Sequence, residues 1–337
     1  VGSEMCIRDS SRTAAVLMDI GIGKYDRVAA CLPNDVDIVI AMLACARVGG
    51  IWVGINRALA APEKAYLLED SGAALYIAEQ QDFSEIETQR ASQLLGLNCM
   101  TAASLRDRSA VMSGAAVCRI EVSAFEPAAI AYTSGTTGRP KGAVHSHHNI
   151  LLPGAIQVME GNFGPDCHQG VMLPLTILNL MVLAPMTAFQ DGSACVCIDS
   201  MQPAEIAYWI KHERVGHFAS VPTVIQDLLT SELVDPADLD SLGCPDIGGA
   251  GIAKSFQDLY RMRFGRSLAV AYGMTEAPTI VCKTDSGRAP EEELCGRAVP
   301  QVDIVVVDAD DKPVDAGEEG EICVRPATTG PYAGIYT

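Results

Sequence analysis

The segment Tyr132-Thr-Ser-Gly-Thr-Thr-Gly-Arg-Pro-Lys-Gly142 gathers glycines, hydroxyls, an arginine and a lysine within one short stretch. The hydroxyls of Thr133, Ser134, Thr136 and Thr137 can donate to anionic oxygens. Gly135 and Gly138 let main-chain N–H groups approach those oxygens closely, and Lys141 adds a point charge. This is the chemistry of polyphosphate binding. The apolar run Ala128–Tyr132 ahead of it reads as a buried strand, so a strand feeds a loop of small residues. A flexible Gly/Ser/Thr linker shares that composition but not the Arg-Pro-Lys-Gly that follows. The P-loop of nucleoside triphosphatases fails on spacing, because Gly142 stands where a metal-binding hydroxyl should follow the lysine.

Other stretches carry weaker chemistry by themselves. Ala271-Tyr-Gly-Met-Thr-Glu276 follows an apolar run from Leu268 and combines an aromatic face, a hydroxyl and a carboxylate. Stacking on Tyr272 suits a purine, and the oxygens of Glu276 suit Mg2+. Gly248-Gly-Ala-Gly251 marks a turn, and Leu173-Pro-Leu-Thr-Ile177 precedes an apolar segment. His145, His147 and His148 are close in sequence, but on a strand or bend they would not share one face. With no carboxylate near them they read as structural rather than metal-binding.

Composition bounds the possibilities. A chain of 337 residues can bury a substantial core, and 49% hydrophobic with 20% charged residues is globular rather than disordered. A net charge of −18 argues against nucleic acid as a partner, while a local cationic loop can still hold ATP. The twelve cysteines include no CxxC pair. Cys195 and Cys197, one residue apart on an expected strand, are read as pointing to opposite faces, and free thiols in a reducing cytoplasm are expected. No apolar run is long enough to span a membrane. Val1–Ser10 lacks an initiator methionine, fits no element and carries no signal-peptide pattern, so residues 1–12 are read as a non-native or disordered start and 13–337 as the folded unit.

These groups need elements to position them, and the pattern alternates strand and helix. Strands are expected at Val28–Leu32, Ile51–Ile55, Ala74–Ala78, Val171–Leu175, Ala194–Ile198 and His217–Val221. Helices are expected from Asp35 as a cap to Gly49, from Pro62, from Phe83 to Leu95, from Asn149, from Leu178 to Phe189, from Ala204 to His212 and after Pro222. Thr101–Ser109 reads as a surface connection. Val302–Val307 and Glu321–Arg325 read as a hairpin-like β unit. The fold class is therefore α/β: mostly parallel, helix-covered sheets plus a β-rich subdomain near the C-terminus.

The stretch from Tyr132 to Gly142 closely resembles the signature of the adenylate-forming (AMP-binding) enzymes: acyl-CoA synthetases, firefly-luciferase-like enzymes and peptide-synthetase adenylation domains. Tyr272-Gly-Met-Thr-Glu276 matches that family's second motif in order and distance. Asp26–Asn34, Ala44–Gly49, Gly296–Pro300 and Gly317–Ile322 also fall in its pattern. The resemblance runs from about Thr13 onward and covers the family's large N-terminal domain only.

It implies that Thr133, Ser134, Gly135, Thr136, Thr137, Gly138 and Lys141 wrap the phosphates of ATP. It further implies that Gly249, Ala250, Tyr272 and Gly273 line the adenine pocket, that Thr275 meets phosphate and that Glu276 holds Mg2+, with Thr136, Lys141 and Glu276 catalytic. Leu175 and Ile177 would border the acyl group, with Ile177 standing where acyl-CoA synthetases usually carry histidine. The implied protein is a cytoplasmic ligase of fatty acid metabolism, with a small-molecule carboxylic acid, ATP and coenzyme A as partners. A peptide-synthetase-type adenylation domain and a non-catalytic nucleotide- or acyl-binding remnant are the alternatives. The ribose-binding Asp and the lysine-bearing small C-terminal domain of the family are not in this sequence.

Overall fold

The computed structural model describes residues 3–83, 97–112, 120–133, 138–159, 163–243, 245–249, 251–265, 268–284, 295–330 and 333. Three sheets organise them. The first has the order β4-β3-β1-β2-β5-β6, built from Asn98–Thr101, Leu75–Ala78, Arg27–Cys31, Ile51–Gly54, Pro127–Thr133 and Lys141–Ser146. All neighbours pair in parallel except β5 with β6, which run antiparallel from Pro127↔Ser146 to Thr133↔Lys141.

The second sheet has the order β13-β12-β11-β10-β9-β7-β8. Its parallel body is β8 (Cys195–Cys197), β7 (His168–Val171), β9 (Val215–Ser220), β10 (Asp246–Gly248) and β11 (Ala269–Met274). The antiparallel β12 (Ala277–Lys283) and β13 (Arg297–Ala298) complete one edge. β14 (Val302–Val307) and β15 (Glu321–Pro326) pair antiparallel as a small third sheet, the hairpin-like unit expected from the sequence. The α/β class with parallel-rich sheets holds.

Strand alternation assigns the two faces of the first sheet. Val28, Ala30, Trp52, Leu75, Ile77, Ala129 and Ala131 join one core, while their neighbours Ala29, Cys31, Val53, Tyr76 and Ala78 join another. The first core is filled by helices α1 (Ser3–Asp19) and α2 (Val36–Arg47), and by residues of a helix that runs from Leu178 to Asp191. Asp35 caps α2 by accepting from the N–H groups of Asp37 and Ile38, at 2.9 and 3.3 Å. The second core receives Leu67 and Leu68 of α3 (Ala61–Ser71). A third core lies on the second sheet, filled by α7 (Pro203–His212), α8 (Pro222–Thr230) and α9 (Lys254–Phe264). Between these come α4 (Ala102–Val111), α5 (His147–Met159) and α6, whose Leu178–Met181 turn continues through a π-helical turn at Val182–Met186 to Thr187–Asp191. Pro185 lies in that wider turn, where the missing N–H of proline is accommodated.

Several expectations need correction. Residues from Ser3 to Ser10 belong to α1 rather than to no element. Thr101–Ser109 is not a connection: Thr101 accepts from the Ser104 N–H at 3.0 Å and caps α4, whose Ala102, Leu105 and Ser109 turn inward at helical spacing. The strand expected at Val171–Leu175 lies earlier, at His168–Val171, because the following residues turn at Pro174 to meet Asn34. Cys195 and Cys197 share a face, as positions i and i+2 of a strand must, and their thiols are hydrogen-bonded to each other. The helix expected from Phe83 falls, beyond that residue, outside the described residues.

α3 is tied to the first sheet by a buried ion pair. Lys64 Nζ lies 2.7 Å from Asp82 Oδ1, with the two residues 2% and 5% exposed. Burial, then the Asp82 charge, pushes the neighbouring Cys31 thiol up to about 11. Removing one partner of such a pair strands a charge in the interior, so Lys64→Met should cost about 3–5 kcal/mol in urea unfolding. The double change Lys64→Met/Asp82→Leu should recover most of that loss. Equal destabilisation by the single and double changes would contradict this account.

Candidate functional site

The two strongest sequence motifs occupy equivalent places in the two sheets. β5 and β6 form a hairpin whose turn is the Gly/Ser/Thr-rich stretch, with Thr133 ending one strand and Lys141 opening the other. β11 and β12 form a hairpin whose turn is Thr275–Glu276, flanked by the pair Met274↔Ala277. Each turn lies at the carboxyl end of the last parallel strand of its sheet, the edge at which open α/β sheets take ligands.

The first hairpin is braced from α3. Tyr132 donates its hydroxyl to Asp70 Oδ2 at 2.7 Å, and Tyr66 donates to the Pro140 carbonyl at 3.1 Å. The Arg139 guanidinium lies over the Tyr66 ring, 5.8 Å from its centroid. Gly138 has φ +87°, a left-handed conformation that the turn requires and that glycine supplies without strain. Lys141 is exposed and makes no ion pair among the described residues, so its ammonium can serve an anion. Ser134, Gly135, Thr136 and Thr137 lie outside the described residues, as does Ala250.

The second hairpin borders a cavity of about 270 Å³. Gly248 and Gly249 at the end of β10, Tyr272 and Gly273 of β11, and Ile177, Asn179 and Leu183 from the start of α6 all line it. The adenine-side and acyl-side expectations therefore converge on one space. Ile177 is 44% exposed there. Leu175 does not line it: its side chain is fully buried in the first core. The sequence did not single out the remaining wall, which includes Phe163 and His217 with ring centroids 4.7 Å apart. His217 also meets Gln169 Oε1 at 3.0 Å. Among the described residues that line it, none is Lys, Arg, Asp or Glu.

Asn34 fixes the border of this cavity from the first sheet. Its Nδ2 donates to the carbonyls of Leu173 (2.8 Å) and Ile198 (3.3 Å), and its Oδ1 accepts from the Leu175 N–H at 2.8 Å. Beside it, Gly54 lets the Thr176 carbonyl approach so closely that a Cβ would sit 2.0 Å from that oxygen. Sequence reading missed Asn34 as a site residue, since an Asn after Pro33 reads simply as a turn.

Glu276 sits exposed at the hairpin tip with no hydrogen bond or ion pair to its carboxylate from the described residues. No group of three or more His, Cys, Asp or Glu able to hold a metal occurs among the described residues. A single carboxylate fits Mg2+, which keeps waters and takes substrate phosphates as further ligands, and does not fit a metal held by protein alone. His145 is buried, and burial holds its pKa below the ordinary value. His147 behaves likewise, and His148 packs on Phe125 at 5.2 Å.

Comparisons with known proteins bear on the family and the fold. The profile of the AMP-binding enzyme family matches residues 7–332. The chain is 27% identical over 333 residues to a crotonobetaine/carnitine–CoA ligase of Escherichia coli O157:H7, covering 94% of this chain and 63% of that protein. Among solved structures, ATP-bound MatB from Rhodopseudomonas palustris is 25% identical with a TM-score of 0.86, covering 95% of this chain and 64% of that one. The inhibitor-bound N-terminal domain of FACL13 from Mycobacterium tuberculosis is 25% identical with a TM-score of 0.83, covering 96% and 81%. The chain thus spans 63% of the length of the curated relatives it matches.

Asn34→Ala should lower stability by about 1–3 kcal/mol, because it leaves the Leu175 N–H and the Ile198 carbonyl buried without their Asn34 partner. It should also speed amide exchange at residues 173–177 ahead of the rest of the chain. Unchanged exchange in that segment would show that Asn34 does not hold it.

Proposed function

Because the chain belongs to the AMP-binding enzyme family, we propose that it is the ATP- and acyl-binding part of an acid–thiol ligase, an acyl-CoA synthetase working in the cytoplasm. The observation that carries this reading is the shared cavity, where Tyr272, Gly248 and Gly249 face Ile177 and Asn179. ATP and the carboxylate must lie side by side to react, and a cavity lined from both sides would serve that end. The free thiols of the described cysteines suit a reducing compartment, and no described helix is long and apolar enough to cross a membrane.

A carboxylate is a poor acyl donor because its charge repels nucleophiles. In the proposed reaction its oxygen attacks the α-phosphorus of ATP, a new O–P bond forms, and pyrophosphate leaves with the broken bond's electron pair. The thiol of coenzyme A then attacks the acyl carbon and AMP departs. The residues contribute positioning and charge neutralisation. Lys141 and the hydroxyls of Thr133, Ser134, Thr136 and Thr137 neutralise and orient the phosphates, while Gly135 and Gly138 permit close main-chain approach. Tyr272 offers its ring face to adenine, with Gly249, Ala250 and Gly273 as the walls of that pocket, and Thr275 donates to phosphate. Glu276 would hold Mg2+, which supplies charge neutralisation at the phosphate oxygens when bound.

The described lining residues carry no charged side chain, which supports an uncharged acyl group. A second charge would be buried there without a partner, at a cost of several kcal/mol. An α-amino acid, the substrate class of a peptide-synthetase domain, would need a carboxylate beside its ammonium group, and none of the described lining residues provides one.

Two measurements test this reading. Glu276→Ala should weaken Mg·ATP binding about tenfold or more while leaving metal-free AMP binding near the wild-type value; equal losses for both ligands would remove the magnesium assignment. In thermal shift with ATP present, neutral monocarboxylic acids should raise the midpoint, and acids with a second charge should not. A larger shift from dicarboxylic or amino acids would overturn the assignment of an uncharged acyl group.

A further inference from the structure

The cavity beside the second hairpin runs along one face of the second sheet. Ala219 of β9 and Ala269 of β11 both pair with Asp246 of β10, so side chains at that level point the same way. Alternation then puts His217, Ala219, Gly248 and Ala271 on one face, and all four line the cavity. Ala219, Gly248 and Ala271 project at most a methyl group, which leaves a flat floor. Gly248 has no room for more, since a Cβ there would meet the Ala271 carbonyl oxygen at 2.7 Å. Leu180 and Leu183 line the same space from α6.

That floor has two different ends. Tyr272, whose ring is offered to adenine, lies three residues beyond the Asp246 level, at the carboxyl edge of the sheet. His217 lies two residues before that level, so the two are about 16 Å apart along the strands. The imidazole is held in place at this deep end. Gln169, its register partner on β7, is 1% exposed, and its Oε1 lies 3.0 Å from His217 Nδ1. The Phe163 ring packs on the imidazole with 4.7 Å between centroids and 51° between planes. An alkyl chain gains nothing there that a leucine would not supply. Two rings held at a fixed tilt favour a third ring, through offset or edge-on contact.

We infer that the acyl group of the substrate is a planar aromatic ring, seated on the floor of Ala219, Gly248 and Ala271 with its far edge against Phe163 and His217. This rests on the acid–thiol ligase reading above and names its substrate class, an aromatic monocarboxylic acid without a second charge. Phe163 and His217 are its specificity-determining residues.

Two stable acyl-adenylate mimics test this, benzoyl-sulfamoyladenosine and cyclohexanecarbonyl-sulfamoyladenosine, whose rings have the same carbon count but only one of which is flat. Their affinities are measured by calorimetry for wild type, Phe163→Leu and His217→Leu, with sulfamoyladenosine as the acyl-free reference. Wild type should bind the benzoyl mimic about three- to tenfold more tightly than the cyclohexane one. Phe163→Leu should bring the two within about twofold by weakening the benzoyl mimic, with sulfamoyladenosine bound as in wild type. His217→Leu should do the same. Phe163 is only half-buried, so Phe163→Leu decides the matter where His217→Leu fails to fold. Equal affinities in wild type, tighter binding of the cyclohexane mimic, or an undiminished preference in Phe163→Leu would overturn the inference. Binding of sulfamoyladenosine but of neither acyl mimic would overturn it while leaving the nucleotide site standing. Failure of wild type to bind any of the three would overturn the ligase reading itself.

Discussion

The reversal of strand direction at one edge of each parallel sheet is the constraint on which the site depends. Parallel strands must be joined by crossovers, so their carboxyl ends normally lead away into helices. Where β6 pairs back onto β5, and β12 onto β11, the chain instead reverses direction at the ligand edge. Those two turns hold the Gly/Ser/Thr-rich stretch and Thr275–Glu276. A parallel continuation would have carried both motifs off into helices on the faces of the sheets.

The rest of the structure holds these turns in register. α3 braces the first through the hydroxyls of Tyr66 and Tyr132, and is itself held by the buried Lys64–Asp82 pair. Asn34 ties the border of the cavity to the β1–α2 turn, and Gly54 lets the Thr176 carbonyl pack against β2. Stability and site geometry are thus supplied by the same polar contacts. A site that neutralises a polyphosphate gains from such stiffness, because its charges need no rearrangement when the ligand arrives.

Much of this was legible in the residues. The order of strands and helices followed from apolar runs separated by Pro, Gly and Asp, and the motifs stood out because Gly135, Gly138 and Lys141 fit few roles other than phosphate binding. What the sequence could not show was pairing. Nothing local distinguishes β6 from another parallel strand, so the hairpin around the first motif is visible only in three dimensions. Thr101–Ser109 read as a connection because its polar surface outweighed a cap and a sparse buried stripe. Leu175 was grouped with Ile177 by adjacency, although Asn34 turns the chain between core and cavity at that point. Strand periodicity alone places Cys195 and Cys197 on one face, since they are two residues apart on a strand.

The central claim is that the two hairpin turns, from different sheets, form one nucleotide site. Amide hydrogen exchange with and without Mg·ATP tests it most directly. Protection arising together in residues 132–146 and 269–284, and little elsewhere beyond the cavity wall, is the predicted result. Protection confined to one hairpin, with the other exchanging as in the free protein, would contradict it.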